Sequence, residues 1–526
     1  MNRVVAGLLV LALVLGAGAV GASFLLGGDD SSSSSSSGES GGTTREPERP
    51  VRSGDEPDEG ATEAPSPDLQ PYYSQTLEWS ECGEFECGWL EAPLDYEDPD
   101  GKTIDLALLK APAEAPDQRV GSLVVNPGGP GAPGTEYAAQ AALAFRPPLL
   151  DHFDVVGFDP RGTGRSNPID CVSDAELDEL RASGPDPDGA AELAESEEDS
   201  ARFFEGCREK SGDLVDHVST VEAAKDMDIL RAALGQDELD YLGASYGTQL
   251  GATYAELFPD RVGFMVLDGA VDVSLDERQA SLDQARGFET ALRAYVQDCV
   301  DGGDCYLGDS LDEGLASIKE FLDEVDQKPI PAGDRELRAG DAFYALAAPL
   351  YNREYWRLLT QALKAGMEGD GRQLMMLADL YSSRGPDGYT DNSSEAIRVI
   401  NCLDDPTSIP VEEVPAEFEA FEKASPTLGR IFAWGLTGCE DFDGRRTEPL
   451  EIDGAGAPPI LVTGTTRDPA TPYKWAEALA DQLESGVLLT RDGDGHTAYN
   501  RGNECVDETI ESFLVDGKVP DGDVTC

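Results

Sequence analysis

The sequence predicts a mostly parallel, doubly wound α/β sheet that carries an inserted helical cap. Three observations support this. Short apolar runs such as residues 122–126 and 153–158 have the length of buried strands and alternate with helical patterns, as in parallel sheets covered on both faces. Residues 239–242 form another such run, ending in Gly243-Ala244-Ser245-Tyr246-Gly247 and passing into a small-residue helical stretch. Residues 273–436 then hold amphipathic helical patterns with no buried-strand run, before strand signals return at 459–463 and 486–490.

The chain opens with an export element. Arg3 is the one early charge, and residues 4–26 are almost wholly apolar. A cleavable signal would end near Ala17-Gly18-Ala19 or Val20-Gly21-Ala22. An uncleaved membrane anchor is the alternative, since about 23 apolar residues at ~1.5 Å each span a bilayer. Apolar residues continue past both cleavage sites to Phe24-Leu25-Leu26, which favours the anchor. Residues 27–71 read as a linker: seven consecutive serines lead into Gly, Glu, Pro and Thr, with too little apolar surface to offset ordering entropy.

The 526 residues suit one large elaborated domain or two, with a net charge of −64. Such a charge repels nucleic acid and anionic membrane surfaces and fits a solvated acidic exterior. Ten cysteines in an exported chain read as disulfides. They fall as sequence neighbours, so the expected pairs are Cys82 with Cys87, Cys171 with Cys207, Cys299 with Cys305, Cys402 with Cys439, and Cys505 with Cys526. There is no C-x-x-C and only three histidines, so no metal or cofactor is expected.

From residue 72 the strands come in order. Residues 103–110 alternate. Residues 122–126 run into Pro127-Gly128-Gly129-Pro130-Gly131, and 153–158 into Asp159-Pro160-Arg161-Gly162. Residues 221–234 read as a helix, and 262–267 as a strand ending at Asp268. The core is thus expected in two parts, 72–272 and 437–526, separated by the cap.

Gly-x-Ser-x-Gly arises by chance in a chain with 57 glycines, so Ser245 needs a base, an acid and oxyanion donors. Strand, tight turn and helix would push its hydroxyl out of the sheet. His496, in the loop after the last predicted strand, is the expected base; His152 and His217 are placed less well. Asp468, in the Pro-rich loop after residues 460–463, is the expected acid, with Asp268 as the alternative. The oxyanion donors would be the N–H of Tyr246 and the Gly128-Gly129 loop. Such donors are worth ~3 kcal/mol each.

Asn126-Pro127-Gly128-Gly129-Pro130-Gly131, Gly157-Phe158-Asp159-Pro160-Arg161-Gly162-Thr163-Gly164-Arg165-Ser166, the Ser245 turn and Arg467-Asp468-Pro469-Ala470-Thr471-Pro472 together resemble the secreted bacterial tripeptidyl and prolyl aminopeptidases of the α/β-hydrolase fold. Residues 514–526 are similar to the end of that group's TAP-like region. A departure is Cys439-Glu440-Asp441-Phe442, where Trp-Pro would follow the cysteine. The resemblance implies a serine exopeptidase acting on peptides with a free amino terminus, its amine-binding carboxylates in the cap. An esterase using the same triad, and a non-enzymatic envelope protein, are the competing readings.

Overall fold

The computed structural model describes residues 49–52, 57–187, 189–445 and 450–526. The apolar segment 4–26, with both its cleavage sites, and the serine run of the linker lie outside the described residues. Among the described residues no helix is long and apolar enough to cross a membrane.

The end of the expected linker is structured instead. Pro67–Leu69 and Gln70–Tyr73 form helical turns, and Ala61 and Tyr73 are buried. Asp58 N–H donates to Gly235 O (2.9 Å), Arg231 to Ala61 O (2.9 Å) and Arg261 to Glu63 O (2.7 Å). Two of these three bonds run from arginine side chains to backbone carbonyls, so low apolar content gave no sign of the contact.

Four early strands, β1 (Ser80–Cys82), β2 (Phe85–Pro93), β3 (Thr103–Ala111) and β4 (Gly121–Asn126), are followed by β5 (Phe153–Phe158), β6 (Leu239–Ala244) and β7 (Val262–Asp268). Two hairpins, β8 (Ile330–Ala332) with β9 (Arg335–Leu337) and β10 (Arg384–Gly385) with β11 (Gly388–Tyr389), come next. The chain closes with β12 (Ile460–Arg467), β13 (Gly486–Asp494) and β14 (Val524–Thr525). All but the hairpins join one ten-stranded sheet in the order β1-β2-β3-β5-β4-β6-β7-β12-β13-β14. Pairing is antiparallel from β1 to β5 and parallel thereafter. Every residue of β4, β5 and β6 is buried, because helices cover both faces and no alternation is required. The carboxyl ends of β6, β7 and β12 are neighbours, the edge where open α/β sheets bind ligands.

Between β7 and β12 lie the helices Glu277–Asp301, Leu311–Gln327, Ala339–Ala347, Trp356–Met367 and Arg372–Tyr381, packed around their own apolar cluster of Leu292, Ile318, Leu346, Leu359 and Leu377. The two hairpins interrupt this stretch, with Ala332 and Leu337 buried. The helix Ser393–Asp404 differs: Val399, Ile400 and Leu403 belong to the core of the sheet, so it roots the cap.

A second excursion was not legible in the sequence. The helices Asp174–Ala182 and Ala190–Ser211 leave between β5 and β6 and reach the cap through charges. Arg384 makes two 2.6 Å bonds to Asp178, and Arg430 and Trp434 hold Asp186 at 2.7 and 2.9 Å. The longer helix buries only Phe203, Phe204 and Cys207, too little apolar surface to stand out as periodicity.

The five expected disulfides all form. Arg161 of the Asp-Pro-Arg-Gly motif is fully buried, pairs Asp226 through two bonds (2.7 and 2.6 Å) and donates to the carbonyls of Pro93, Leu94 and His217. A buried guanidinium is tolerated when its donors are met, and here it ties the β2 end to the helix Thr220–Ala233.

Candidate active site

Ser245 sits where β6 turns into the helix Tyr246–Leu257, with φ 57° and ψ −126°. A non-glycine residue in this region is uncommon and strained. The turn closes only because its neighbours are small: a Cβ on Gly243 would lie 2.3 Å from Gly247 O. Ser245 N–H donates to Asp268 O (2.9 Å), and the Thr248 N–H and hydroxyl both donate to Ser245 O (2.8 and 2.6 Å). Tyr246 is the first helical residue, so its N–H has no acceptor within the helix.

The loop after β4 presses on this elbow. Gly128 has φ +96°, and a Cβ there would be 2.5 Å from Ala244 O and 2.9 Å from the Ser245 Cβ. The Gly128 N–H donates to Asn126 Oδ1 (2.9 Å). Gly129, the second glycine of the expected pair, is also at positive φ.

His496 and Asp468 are brought together, both 2% exposed. His496 Nδ1 lies 3.0 and 2.9 Å from the two Asp468 carboxylate oxygens. The carboxylate also accepts the N–H groups of Ala470 and Thr471 (2.9 Å each) and Thr497 (3.1 Å), and the Thr471 hydroxyl (3.1 Å). This acid is fixed on every side, so it can hold the imidazole in one orientation.

Asp268 does a different job. Its carboxylate accepts the N–H of Ala498 (2.8 Å) and Tyr499 (3.1 Å) and the Thr463 hydroxyl, while its carbonyl holds Ser245 N–H. It pins the histidine loop beside the elbow rather than contacting the imidazole. A Cβ on the next residue, Gly269, would lie 3.3 Å from His496 Cε1.

Several site residues escaped sequence reasoning. Thr497 adopts φ 66°, costly for a β-branched residue. It is held by Arg501 (2.8 and 3.1 Å on its hydroxyl) and by Thr465, which donates to its carbonyl (2.7 Å). Tyr351 of the cap accepts His496 N–H on its carbonyl (2.8 Å), and its ring meets the imidazole edge-on at 5.2 Å. Only its position in the helical stretch was visible beforehand, and nothing local marks a cap residue that will fold back onto the histidine.

The other histidines have other partners: His152 Nδ1 meets Pro148 O (2.7 Å) and His217 Nδ1 meets Glu222 (3.0 Å). Asp95, His217 and Glu222 cluster within 4.8 Å, but Arg161 lies 3.6 Å from Glu222 and Arg445 4.0 Å from Asp95, so cationic side chains already answer this negative charge. A cavity of about 730 Å³ is lined by Asp178, Arg335, Asp379 and Arg384 among others, not by Ser245 or His496. Arg335 pairs with Asp379 there and Arg384 with Asp178, so this cavity is not where the His496–Asp468 pair lies.

Residues 425–526 match the family described as TAP-like protein. Over 482 residues, 87% of this chain and 92% of the relative, the chain is 38% identical to serine protease Hip1 of Mycobacterium tuberculosis. It is 35% identical to carboxylesterase B of the same organism, over 89% of this chain and 94% of the relative. It is 32% identical to a tripeptidyl aminopeptidase of Streptomyces lividans, over 86% of each.

Proposed function

Because the chain belongs to the TAP-like family of α/β-hydrolases, serine hydrolases by their named members, we propose that it is an exported aminopeptidase that releases short units from peptide amino termini through an acyl-enzyme on Ser245. The observation that carries the reading is the buried His496–Asp468 pair, tied to the Ser245 elbow by Asp268. Ser245 Oγ attacks the scissile carbonyl carbon and gives its proton to His496 Nε2. Asp468 stabilises the imidazolium. The oxyanion is met by the N–H groups of Tyr246 and Gly129. The tetrahedral species collapses as His496 returns the proton to the leaving amine, and water, activated by the same histidine, frees the acyl group.

Exopeptidase action needs an anionic partner for the substrate ammonium. Glu136 suits this role, in the core part of the chain and not in the cap where the resemblance put such carboxylates. It lies in the helix Gly134–Ala139 that follows the Gly128–Gly131 loop, and burial, then Asp391 and Asp159, push its carboxyl up to about 7. A substrate cation would relieve that repulsion. Export is supported by the five disulfides, and an uncleaved amino-terminal anchor over residues 4–26 would hold the enzyme at the cell envelope. Peptides supplied in pairs with free and acetylated amino termini test the assignment: only the free form should be cleaved efficiently, and equal rates would refute it. The second reading, an esterase with the same triad, is favoured by the carboxylesterase relative, and turnover of simple esters above any peptide would establish it.

A further inference from the structure

Six aromatic side chains of the cap form a closed circuit. Phe288 meets Tyr351 (6.0 Å between ring centroids) and Phe432 (5.5 Å), Phe432 meets Phe343 (6.1 Å), Phe343 meets Tyr344 (5.4 Å), Tyr344 stacks on Tyr381 (5.2 Å), and Tyr381 returns to Tyr351 (6.1 Å). The residues come from the helices Glu277–Asp301, Ala339–Ala347, Arg372–Tyr381 and Gly429–Trp434 and from the turn Ala348–Tyr351. Separate elements therefore converge to build it. Only Phe288 is buried; the other five keep accessible surface, and Tyr381 is 39% exposed. Rings that merely filled the cap core would be covered, as Leu292 and Leu346 beside them are. The circuit touches the chemistry directly through the Tyr351 ring on His496. Arg181 lies over the Tyr344 ring at 4.3 Å and buttresses the outer wall. Of the six, Tyr351 alone also borders a cavity of about 430 Å³ whose other walls are mainly charged, with Arg467, Arg491 and Asp494 among them, so that cavity is separate from the circuit.

We propose that this aromatic circuit is the acyl-side specificity pocket, selecting substrates whose acylating residue carries a flat or bulky apolar side chain. The proposal rests on the Ser245 reading for its adjacency but not on whether the natural substrate is a peptide. In the Ser245 reading the acyl group lies beside His496, and the Tyr351 ring meets that imidazole edge-on at 5.2 Å. Aromatic walls bind such a side chain by area and by edge-to-face contact, and selection in an apolar pocket follows the side-chain area it accepts.

Nitrophenyl esters of acetate, butyrate and 3-phenylpropionate separate this claim from the aminopeptidase claim, because they carry no amine. In the wild-type protein kcat/KM should rise from acetate to phenylpropionate. In Phe432→Ala the phenylpropionate-to-acetate ratio of kcat/KM should fall at least tenfold. Phe343→Leu, which keeps apolar volume without the ring, should lower it by a smaller factor. Labelling of each variant by a serine-reactive phosphonate confirms that the elbow is intact. A ratio held within twofold of wild type in both labelled variants overturns the proposal. If the esters behave as expected but no free-amine peptide is cleaved, the pocket stands and the aminopeptidase reading falls.

Discussion

Asp468 accepts four hydrogen-bonding groups besides the imidazole only if its loop is held in one shape. Pro469 and Pro472 restrict that loop, which puts the N–H groups of Ala470 and Thr471 on one oxygen. Asp268, by contrast, spends its oxygens on the backbone beyond His496. The two buried aspartates therefore separate by experiment. Asp468→Asn keeps the shape but favours the wrong imidazole tautomer, and kcat should fall by about 10⁴. Asp268→Asn replaces an acceptor of backbone N–H groups and should cost less in kcat, with a stability loss of about 1–3 kcal/mol. Steady-state rates on one ester and urea midpoints measure both; a larger kcat loss for Asp268→Asn would reverse the assignment. The sequence favoured Asp468 and kept Asp268 as the alternative, because each follows a strand. The imidazole contact of Asp468 and the Ala498 and Tyr499 N–H groups on Asp268 are what separate them.

The elements that carry chemistry were the legible ones. Buried strands read as continuous apolar runs, and the elbow needs glycines that no other role explains, so β4, β5, β6 and the Ser245 turn stood out. The cap arms held by charge did not. The helix Asp174–Ala182 meets the cap mainly through Asp178, Glu179 and nearby arginines, and ion pairs have no sequence period. The same holds for residues 57–64, which backbone acceptors fix. The helix Ser393–Asp404 is the exception within the cap, since it joins the main core and carries Cys402, bonded to Cys439 across 37 residues. Closing a loop of that length restricts the unfolded chain by about 4 kcal/mol. Replacing Cys402 and Cys439 together by serine should lower unfolding stability by about that amount, read from urea unfolding. Loss below 1 kcal/mol would show that packing alone roots the cap.

The whole molecule carries 103 acidic against 39 basic side chains, and some of those acids are buried where ionisation is costly. Burial, chiefly, pushes the carboxyls of Glu136, Glu277, Asp404 and Glu511 up to about 7. In the unfolded chain these groups release their protons near 4 to 4.5. Between those values and about 7 the folded state holds more protons, so stability rises as pH falls through this window. Relief of self-repulsion acts in the same direction. At Asp178 and Asp216 burial also opposes ionisation, but hydrogen bonds from Arg384 and Arg208 outweigh it and hold both below the usual range. Their contribution is present at neutral pH and is lost only in stronger acid. The thermal midpoint should therefore be higher at pH 5.5 than at pH 8; a lower midpoint at pH 5.5 would mean that these carboxyls do not govern it. In this reading Ser245 is the single nucleophile of the fold. Fluorophosphonate adduct mapping by mass spectrometry tests it most directly: the account predicts a single stoichiometric adduct on Ser245 and none on Ser245→Ala, and an adduct on another residue, or equal labelling of that variant, would contradict it.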